Sequence, residues 1–277
     1  MKEVAVIVVT YNRLNLLKKC IEAVRIQTYS QFDIIVVNNG STDGTLMWLE
    51  TQKDIMVINQ KNLGGAGGFH NGIKYAYNKK YKYFWIMDDD GVPSSECLSI
   101  LKKYADIGFH YVAPNLKNFD GKSHFIQFDN TQFSNIVNHC GGPFNAILLS
   151  RKLVQHVGLP NKNFFIWGDE HEYVNRIVNA GFFVALCLNA IHFHKYTESK
   201  GIPTNRLLYK YRNLVWIYRL DPRKGKIDLF SICTYILLKA IIQMLKFHFI
   251  RFLKMIEAIV VGLRTDINLL RKGGEIE

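Results

Sequence analysis

The first ninety residues alternate short apolar runs with amphipathic segments. Residues 4–9 form an unbroken apolar run, typical of a strand buried on both faces. The next apolar positions recur at helical spacing, and Asn12 is a candidate cap for that helix: Leu14, Leu17, Ile21 and Val24. The same alternation predicts strands at residues 34–37, 55–58 and 83–87, with helices through residues 46–49 and 73–77 between them.

Short connections between these elements predict an α/β fold with a mostly parallel sheet and helices on both faces. In such sheets ligands bind at the carboxyl ends of the strands. Four polar clusters fall at those ends, namely residues 10–13, 38–43, 62–68 and 88–90.

The second half mixes both patterns. Residues 145–149 and 182–188 look like strands, and residues 151–157 like a short helix. Residues 167–170 open a further helix that runs to Gly181. His192 and His194 follow just beyond the last predicted strand.

Three adjacent carboxylates, Asp88, Asp89 and Asp90, follow an apolar strand. Their mutual repulsion would be relieved by a hard divalent cation such as Mg²⁺ or Mn²⁺, which prefers carboxylate oxygen and often shares its shell with substrate phosphates. Alternation along the chain predicts that Asp88 and Asp90 point one way and Asp89 the other. The alternative is a solvated acidic turn or a helix cap.

Other motifs are weaker when taken singly. The glycines at positions 64, 65, 67 and 68 permit close approach of the backbone to a phosphate, or form a flexible loop. Asp169 and Glu170, at a helix start, suit either a general base or a helix cap. His192 and His194 are candidate metal ligands, although a surface pair of histidines is often inert.

Taken in order, residues 8–13, 36–43, 62–69 and 88–90 resemble the motifs of family 2 glycosyltransferases with a GT-A fold, over roughly residues 3–220. The sequence Trp167-Gly-Asp-Glu170, together with the glycines and the complete Asp triplet, resembles the galactofuranosyltransferase branch. The resemblance implies a Rossmann-like fold and an inverting, metal-dependent transfer of galactofuranose from UDP-galactofuranose to a glycan or lipid-linked glycan.

The resemblance also implies roles for individual residues. Asp169 would be the catalytic base, and Glu170 would lie near the acceptor hydroxyls. Asp88, Asp90 and His194 would hold Mn²⁺ or Mg²⁺, with His192 as the spare candidate. The nucleotide sugar would be bound by residues from all the motifs, with Asn39 at the uracil edge: Thr10, Asn12, Arg13, Asn39, Asn62, Gly65, Gly68, Asp88, Asp89 and Trp167.

Charge separates the end of the chain from the rest. The 277 residues carry a formal charge of +12, and residues 206–277, with 14 basic and 6 acidic side chains, hold +8 of it. Residues 228–264, read as one or two helices, show a wide apolar face and a narrow polar stripe. This predicts a transferase domain over residues 1–220 and a basic amphipathic tail over residues 221–277 that lies on an anionic membrane. Seven basic side chains would add to the attraction: Arg206, Lys210, Arg212, Arg219, Arg223, Lys224 and Lys226.

The same features constrain location and partners. No signal peptide precedes residue 4, and no uncharged run reaches the length of a membrane-spanning helix, so we expect a peripheral protein on the cytoplasmic face of the membrane. Packing of the tail on the main domain, or in an oligomer, is the alternative. The five scattered cysteines predict buried thiols in a reducing compartment. A nucleic-acid partner is disfavoured because the positive charge accompanies an apolar helix.

Two other functions stay open. Enzymes that transfer rhamnose from dTDP-rhamnose share the opening and glycine motifs. A non-catalytic nucleotide-sugar-binding or membrane-scaffold protein is the alternative of another class, although it would tolerate loss of Asp169 or of the acidic triplet, and this chain has both.

Overall fold

The structure is a computed structural model that describes residues 2–123, 136–138, 142–195 and 201–276. The strands are β1 (Val4–Thr10), β2 (Phe32–Asn38), β3 (Ile55–Asn59), β4 (Tyr83–Asp88), β5 (Gly91–Pro93), β6 (Tyr111–Lys117), β7 (Ile136–Asn138), β8 (Ile147–Ser150) and β9 (Val184–His194). The helices are α1 (Leu14–Arg25), α2 (Thr45–Glu50), α3 (Gly64–Asn78), α4 (Cys97–Asp106), α5 (Arg151–Val157), α6 (Asp169–Asn179), α7 (Leu207–Leu220), α8 (Lys226–Leu245), α9 (Phe249–Arg264) and α10 (Ile267–Lys272).

The described strands form one sheet in the order β3-β2-β1-β4-β8-β6-β9-β5, with β7 paired to β9. The first four strands are parallel, as predicted. The second half adds antiparallel neighbours, because β8 runs against β4 and β6, and both β5 and β7 run against β9. The α/β class is therefore confirmed, with a sheet that is mixed beyond β4.

The core lies on both faces of the sheet. Along β1, Ala5, Ile7 and Val9 join one buried cluster, which also contains Phe69 and Ile73 of α3. Val4, Val6 and Val8 join the other cluster, which contains Leu17 and Ile21 of α1. Side chains alternate between the faces of a strand, so a strand covered by helices on both sides must be apolar throughout. This explains the unbroken apolar run at residues 4–9.

The start of α1 differs from the prediction. Asn12 does not cap it: its φ is 53°, and its Oδ1 accepts a hydrogen bond from the backbone N–H of Thr42 at 2.7 Å. The exposed N–H of Leu14 donates instead to Asp43 Oδ2 at 3.0 Å. Asp43 also accepts from the N–H and hydroxyl of Thr45, so one carboxylate ties the starts of α1 and α2 together.

Strand β9 is longer than predicted. It continues through His192 and His194 and pairs with β5, so that His194 lies opposite Gly91 and His192 opposite Pro93. Asn189 and Ala190 interrupt the apolar run in the sequence, at the point where the pairing of β6 with β9 shifts register.

Residues 228–264, predicted as one or two helices, form parts of two, α8 and α9. Phe247, with φ of 59°, separates α8 from α9, so the polar stripe drawn across residues 228–264 does not run along one continuous helix. Both helices pack on α7 through a small apolar cluster that includes Tyr211, Val215, Ile236 and Met255. Leu270 of α10 is buried against Phe164 and Trp216. The division at residue 221 stays a prediction.

Two further predictions concern the cysteines and the absence of a membrane-spanning helix. Cys20, Cys97 and Cys187 are buried free thiols and Cys233 is partly buried, while Cys140 lies outside the described residues. By length and composition, α8 could cross a membrane, which the sequence analysis did not expect. A core helix of a soluble protein can have the same length and composition.

Candidate active site

The acidic triplet lies where β4 ends, and its three carboxylates have different partners. Asp89 is buried and accepts a hydrogen bond from the hydroxyl of Thr10 at 2.6 Å. Asp90 accepts one from Arg13 at 2.7 Å, and it lies 3.2 Å from Nε2 of His194. Arg13 also reaches Asp89, at 3.2 Å. Residues from β1, β4 and β9 thus meet at one edge of the sheet.

These environments separate the pKa values of the three carboxyls. Burial, reinforced by the charges of Asp90 and Asp89, raises the pKa of Asp88 well above its usual range. Burial raises the pKa of Asp89 to about 6, against the hydrogen bond from Thr10 and the charge of Arg13. Burial also acts on Asp90, but His194 and Arg13 outweigh it and lower the pKa of that carboxyl. An added cation would relieve the repulsion that Asp88 experiences.

The two histidines have different surroundings. His194 is partly exposed beside Asp90. His192 is fully buried, and its ring fills the place that a side chain on residue 91 would need, which explains Gly91. Within the residues that the structure describes, no three His, Cys, Asp or Glu side chains converge into a metal-binding group. The contact between Asp90 and His194 is the part of the predicted ligand set that the geometry brings together.

The glycine-rich segment forms the first turns of α3, and its glycines serve different purposes. A side chain on Gly64 would overlap the carbonyl oxygen of Phe165, and the φ of Gly64 is +72°. A side chain on Gly68 would overlap Val9. Gly65, in contrast, has nothing within 4 Å of the position of a Cβ. Gly64 and Gly68 therefore permit close packing, and Gly65 borders open space.

Several predicted donor-binding residues are hydrogen-bonded within the protein. Asn39 is buried, donates to the carbonyl of Gly64 at 2.9 Å and accepts from Gln60 at 2.6 Å. Asn62 accepts from the N–H of Gly64 at 2.9 Å and so supports the start of α3. Asn12 accepts from the N–H of Thr42, and the hydroxyl of Thr10 donates to Asp89. Their predicted contact with a nucleotide stays a prediction.

Asp169 is the first residue of α6 and is 3% exposed. It does not cap the helix, since Gly168 occupies the cap position without a side-chain hydrogen bond. Burial, followed by the charge and hydrogen bond of Glu170, raises the pKa of Asp169 well above its usual range. Asp88 contributes to the same shift, and Glu170 to that of Asp88. The carboxyls of α6 and β4 therefore belong to one electrostatic cluster, in which a buried carboxyl can act as a proton acceptor.

The segment before Asp169 is held in an unusual conformation. Phe165 and Trp167 have φ values of 68° and 64°, although neither is glycine, and Gly168 has a φ of 87°. Such conformations cost on the order of 1–3 kcal/mol each for a non-glycine residue and persist where the surroundings fix them. The ring of Phe165 stacks on Tyr209, and the guanidinium of Arg206 lies 5.6 Å from the ring centre of Trp167.

Helix α7 holds this segment, which the sequence analysis did not foresee. Asn213 hydrogen bonds to its backbone, and Arg212 donates to the carbonyl of Phe164 at 3.0 Å. Arg212 therefore faces the protein interior, and Arg219 donates to the carbonyls of Gly262 and Thr265. Contrary to the prediction, neither guanidinium is available to a membrane. The available signal was a lone asparagine among the apolar residues of α7.

Residues 5–156 match the family model for glycosyl transferase family 2, which is more than half of the chain. The protein belongs to that family and is a glycosyltransferase. It is 29% identical over 213 residues to the galactofuranosyltransferase GlfT1 of Mycolicibacterium smegmatis, a match that covers 69% of this chain and 70% of that protein.

Two solved structures show the same GT-A fold. The mannosyltransferase PcManGT from Pyrobaculum calidifontis, solved with GDP-Man and Mn²⁺, has a TM-score of 0.57 at 16% identity and covers 95% of this chain and 87% of its own. S. aureus TarS 1-349, solved with UDP-GlcNAc, has a TM-score of 0.59 at 14% identity, and the match covers 84% of this chain and 70% of the TarS chain. The fold predicted from the four ordered motifs is thereby confirmed.

Proposed function

We propose that the protein transfers galactofuranose from UDP-galactofuranose to a hydroxyl group of a glycan or lipid-linked glycan, with inversion at the anomeric carbon. The observation that carries this proposal is the buried Asp169, whose pKa is raised by burial, by Glu170 and, in smaller part, by the charge of Asp88 at the end of β4. The galactofuranosyltransferase named above, matched over 213 residues, supports the choice of sugar.

The chemistry follows from the position of Asp169. Its carboxylate takes the proton of the acceptor hydroxyl as the oxygen attacks the anomeric carbon, and the bond to the diphosphate breaks on the opposite face. A single displacement of this kind inverts the configuration. Glu170, beside Asp169, is placed to bind a neighbouring acceptor hydroxyl.

The acidic triplet fits a divalent cation that is bound together with the donor. Mg²⁺ and Mn²⁺ are often held by one or two carboxylates plus substrate phosphates, so three converging protein ligands are not needed in advance. Asp90 and His194 already lie 3.2 Å apart, and repulsion between the triplet's carboxylates helps to raise the pKa of Asp88. We assign Asp88, Asp90 and His194 as its ligands. The bound ion would neutralise the charge of the leaving diphosphate.

The donor would lie across the edge formed by β1, β2 and α3. Arg13 is exposed, Trp167 before α6 is partly exposed, and Gly65 leaves room for a ligand. Other predicted donor-binding residues are hydrogen-bonded or packed within the protein and would support the surface on which the donor lies: Thr10, Asn12, Asn39, Asn62, Gly68 and Asp89.

We further propose that the α8–α9 pair rests on an anionic membrane at the cytoplasmic face. Many apolar side chains on this pair and its connection are exposed, including Ile227, Phe230, Leu238, Leu245, Phe247, Phe249, Ile250 and Leu253. Large apolar patches on a protein surface are normally covered by lipid or protein. Exposed Lys239 and Lys246 lie on the same pair, and the net charge of +8 in residues 206–277 favours an anionic surface.

A donor screen by calorimetry tests the proposed reaction. UDP-galactofuranose, dTDP-rhamnose and other nucleotide sugars are titrated into the full chain with and without Mn²⁺. We expect UDP ligands to bind at least tenfold more tightly with Mn²⁺, and D90N to lose most of that difference. Preference for dTDP-rhamnose would favour rhamnosyl transfer, and equal UDP affinity with and without Mn²⁺ would contradict the metal site.

A further inference from the structure

Asn213 of α7 is 1% exposed and is surrounded by hydrogen-bond partners. Its Oδ1 accepts from Nε and Nη2 of Arg212 at 3.0 and 2.8 Å. A guanidinium can only donate, so the oxygen of the Asn213 amide faces Arg212 and the NH₂ group faces the other way. That NH₂ group lies within hydrogen-bond distance of three backbone carbonyls, those of Phe164 (3.0 Å), Ile166 (2.9 Å) and Trp167 (2.7 Å).

These carbonyls flank the two residues whose backbone conformation is unusual. Phe165 lies between the first pair of carbonyls, and Trp167 carries the third. Their positive φ values need to be fixed by surrounding structure. Within the described residues, Asn213 is the side chain that donates hydrogen bonds on both sides of Phe165 and to Trp167.

The same segment is enclosed by two helices. At Gly168, a Cβ would lie 3.1 Å from Ile217 and 3.5 Å from the Cβ of Asn213, so α7 passes close to the residue before Asp169. On the other side, the Ala66 N–H of α3 donates to the carbonyl of Phe165 at 3.2 Å. The segment is thus bound to α7 and to the glycine-rich start of α3.

We propose that Asn213 is a positioning residue that fixes the location of Asp169 relative to the acidic triplet. This inference rests on the proposed role of Asp169 as the base. Displacement of a catalytic group by about 1 Å can lower turnover by roughly 10²-fold. Release of the carbonyls at residues 164–167 would let the adjacent Asp169 move by such an amount.

The variant N213D isolates the donating group. It keeps the size of the side chain and the oxygen that accepts from Arg212, but it places an oxygen against the three carbonyls. N161D is a matched control, because Asn161 is 2% exposed and donates to the carbonyl of Leu270 at 2.7 Å. Its Oδ1 accepts from the N–H of Asn163 at 3.1 Å, a bond that N161D retains.

We expect N213D to lower kcat by roughly 10- to 100-fold, as for a base displaced by up to about 1 Å, with affinity for UDP changed by no more than about twofold. Hydrogen exchange, read by mass spectrometry, should become faster in the peptide that spans residues 165–170. N161D should lower the melting temperature but leave both kcat and that exchange as in the wild type. If N213D does not fold, N213S replaces it, with one donor left for three carbonyls.

If the wild type is active and N213D shows unchanged kcat or unchanged exchange at residues 165–170, the positioning role of Asn213 is wrong. The proposed function would not be affected by that result. A similar fall of kcat in N161D would also overturn it, because the loss would then reflect general destabilisation. A wild-type chain that transfers no sugar from any nucleotide-sugar donor would contradict the proposed function itself, and the positioning role with it.

Discussion

The carboxyls of Asp88, Asp89 and Asp90 are neighbours in sequence, yet each has a different chemical environment. Sequence alternation predicted that Asp89 would point away from the other two, but residues 89 and 90 form a turn after β4, and Nη1 of Arg13 contacts both of their carboxylates. The resemblance grouped His194 with Asp90, but the bonds of Thr10 and Arg13 to the triplet were not predicted, because the ends of β1 and β4 meet only when the sheet forms. Position in the chain therefore identified the acidic group, and tertiary structure sets its pKa values.

Replacement of Asp169 by asparagine tests the proposed base. The amide has nearly the same shape but cannot accept the acceptor's proton, so we expect D169N to lower kcat by roughly 10²-fold or more. Donor affinity should stay within about threefold, since the proton transfer belongs to the chemical step. Steady-state kinetics with calorimetry of UDP binding measures both quantities. Near-normal turnover in D169N would move the base to another residue.

The pH dependence of turnover tests the coupling between Asp169 and Glu170. The negative charge of Glu170 helps to raise the pKa of Asp169, whose proton must be lost before it can act as a base. Glutamine at position 170 removes that charge and lowers the pKa of Asp169. We therefore expect the acid limb of the kcat profile to shift to lower pH in E170Q.

The control is E96Q, the same chemical change at an exposed position that precedes α4. It should leave the acid limb in place. The position of the limb is the relevant measurement, since E170Q can also lower the height of the profile through loss of an acceptor contact. An unshifted limb, or a shift to higher pH, would show that Glu170 does not raise the pKa of Asp169.

At the scale of elements, the start of α3 shows how closely the glycine motif and the α6 motif are connected. The sequence suggested that glycines 64–68 approach a phosphate. The structure shows that Gly64 is needed for the approach of Phe165 and Gly68 for the packing of α3 on Val9, while Gly65 is open. The same residue type therefore serves close packing at positions 64 and 68 and open space at position 65, and only the neighbouring elements distinguish these roles.

This contrast gives a paired prediction. G64A should be strongly destabilised, by several kcal/mol, because the new methyl group overlaps a backbone carbonyl and the φ is unfavourable for alanine. G65A should retain the wild-type melting temperature, since its methyl group meets nothing and its backbone is helical. We expect G65A instead to weaken UDP-sugar binding. Thermal unfolding and calorimetry separate the two effects; equal melting temperatures for both variants would contradict the packing argument.

The parallel half of the sheet was predictable and the second half was not, for a physical reason. Strands β1, β2 and β4 are buried along almost their whole length and appear as apolar runs. Strand β9 continues across a register shift into His192 and His194, which were predicted to lie just beyond the strand. The role of Asn213 was not predicted, because a single asparagine in a helix of mixed polar and apolar residues forms no local motif.

For the whole molecule, the end of the chain is partly integrated and partly exposed. Helices α8 and α9 bury Ile236, Ala240, Met255 and Ala258 on or near α7, which fits the packing alternative. Leu270 of α10 returns to the α/β part beside Phe164. Truncation at residue 221 would remove this core contact, so point substitutions test membrane binding more cleanly.

The connection between α8 and α9 offers the best positions. Phe247, Phe249 and Ile250 are 82%, 56% and 69% exposed, and the adjacent Lys246 is exposed as well. Burial of such a side chain in an apolar medium contributes roughly 1.5–3 kcal/mol. Basic side chains add about 1 kcal/mol each near an anionic surface, and salt weakens that contribution.

We expect the full chain to co-sediment with phosphatidylglycerol-containing vesicles, less so at high salt and less with neutral phosphatidylcholine. The triple variant F247S/F249S/I250S should reduce binding more than tenfold without lowering the melting temperature, because these side chains contact solvent rather than the core. M47S/I107S is the matched control, since both residues are 74% exposed on other elements. Wild-type protein that ignores anionic vesicles at low salt would contradict membrane binding. If the wild type elutes as a dimer in size-exclusion chromatography and the triple variant as a monomer, the apolar face is a subunit interface.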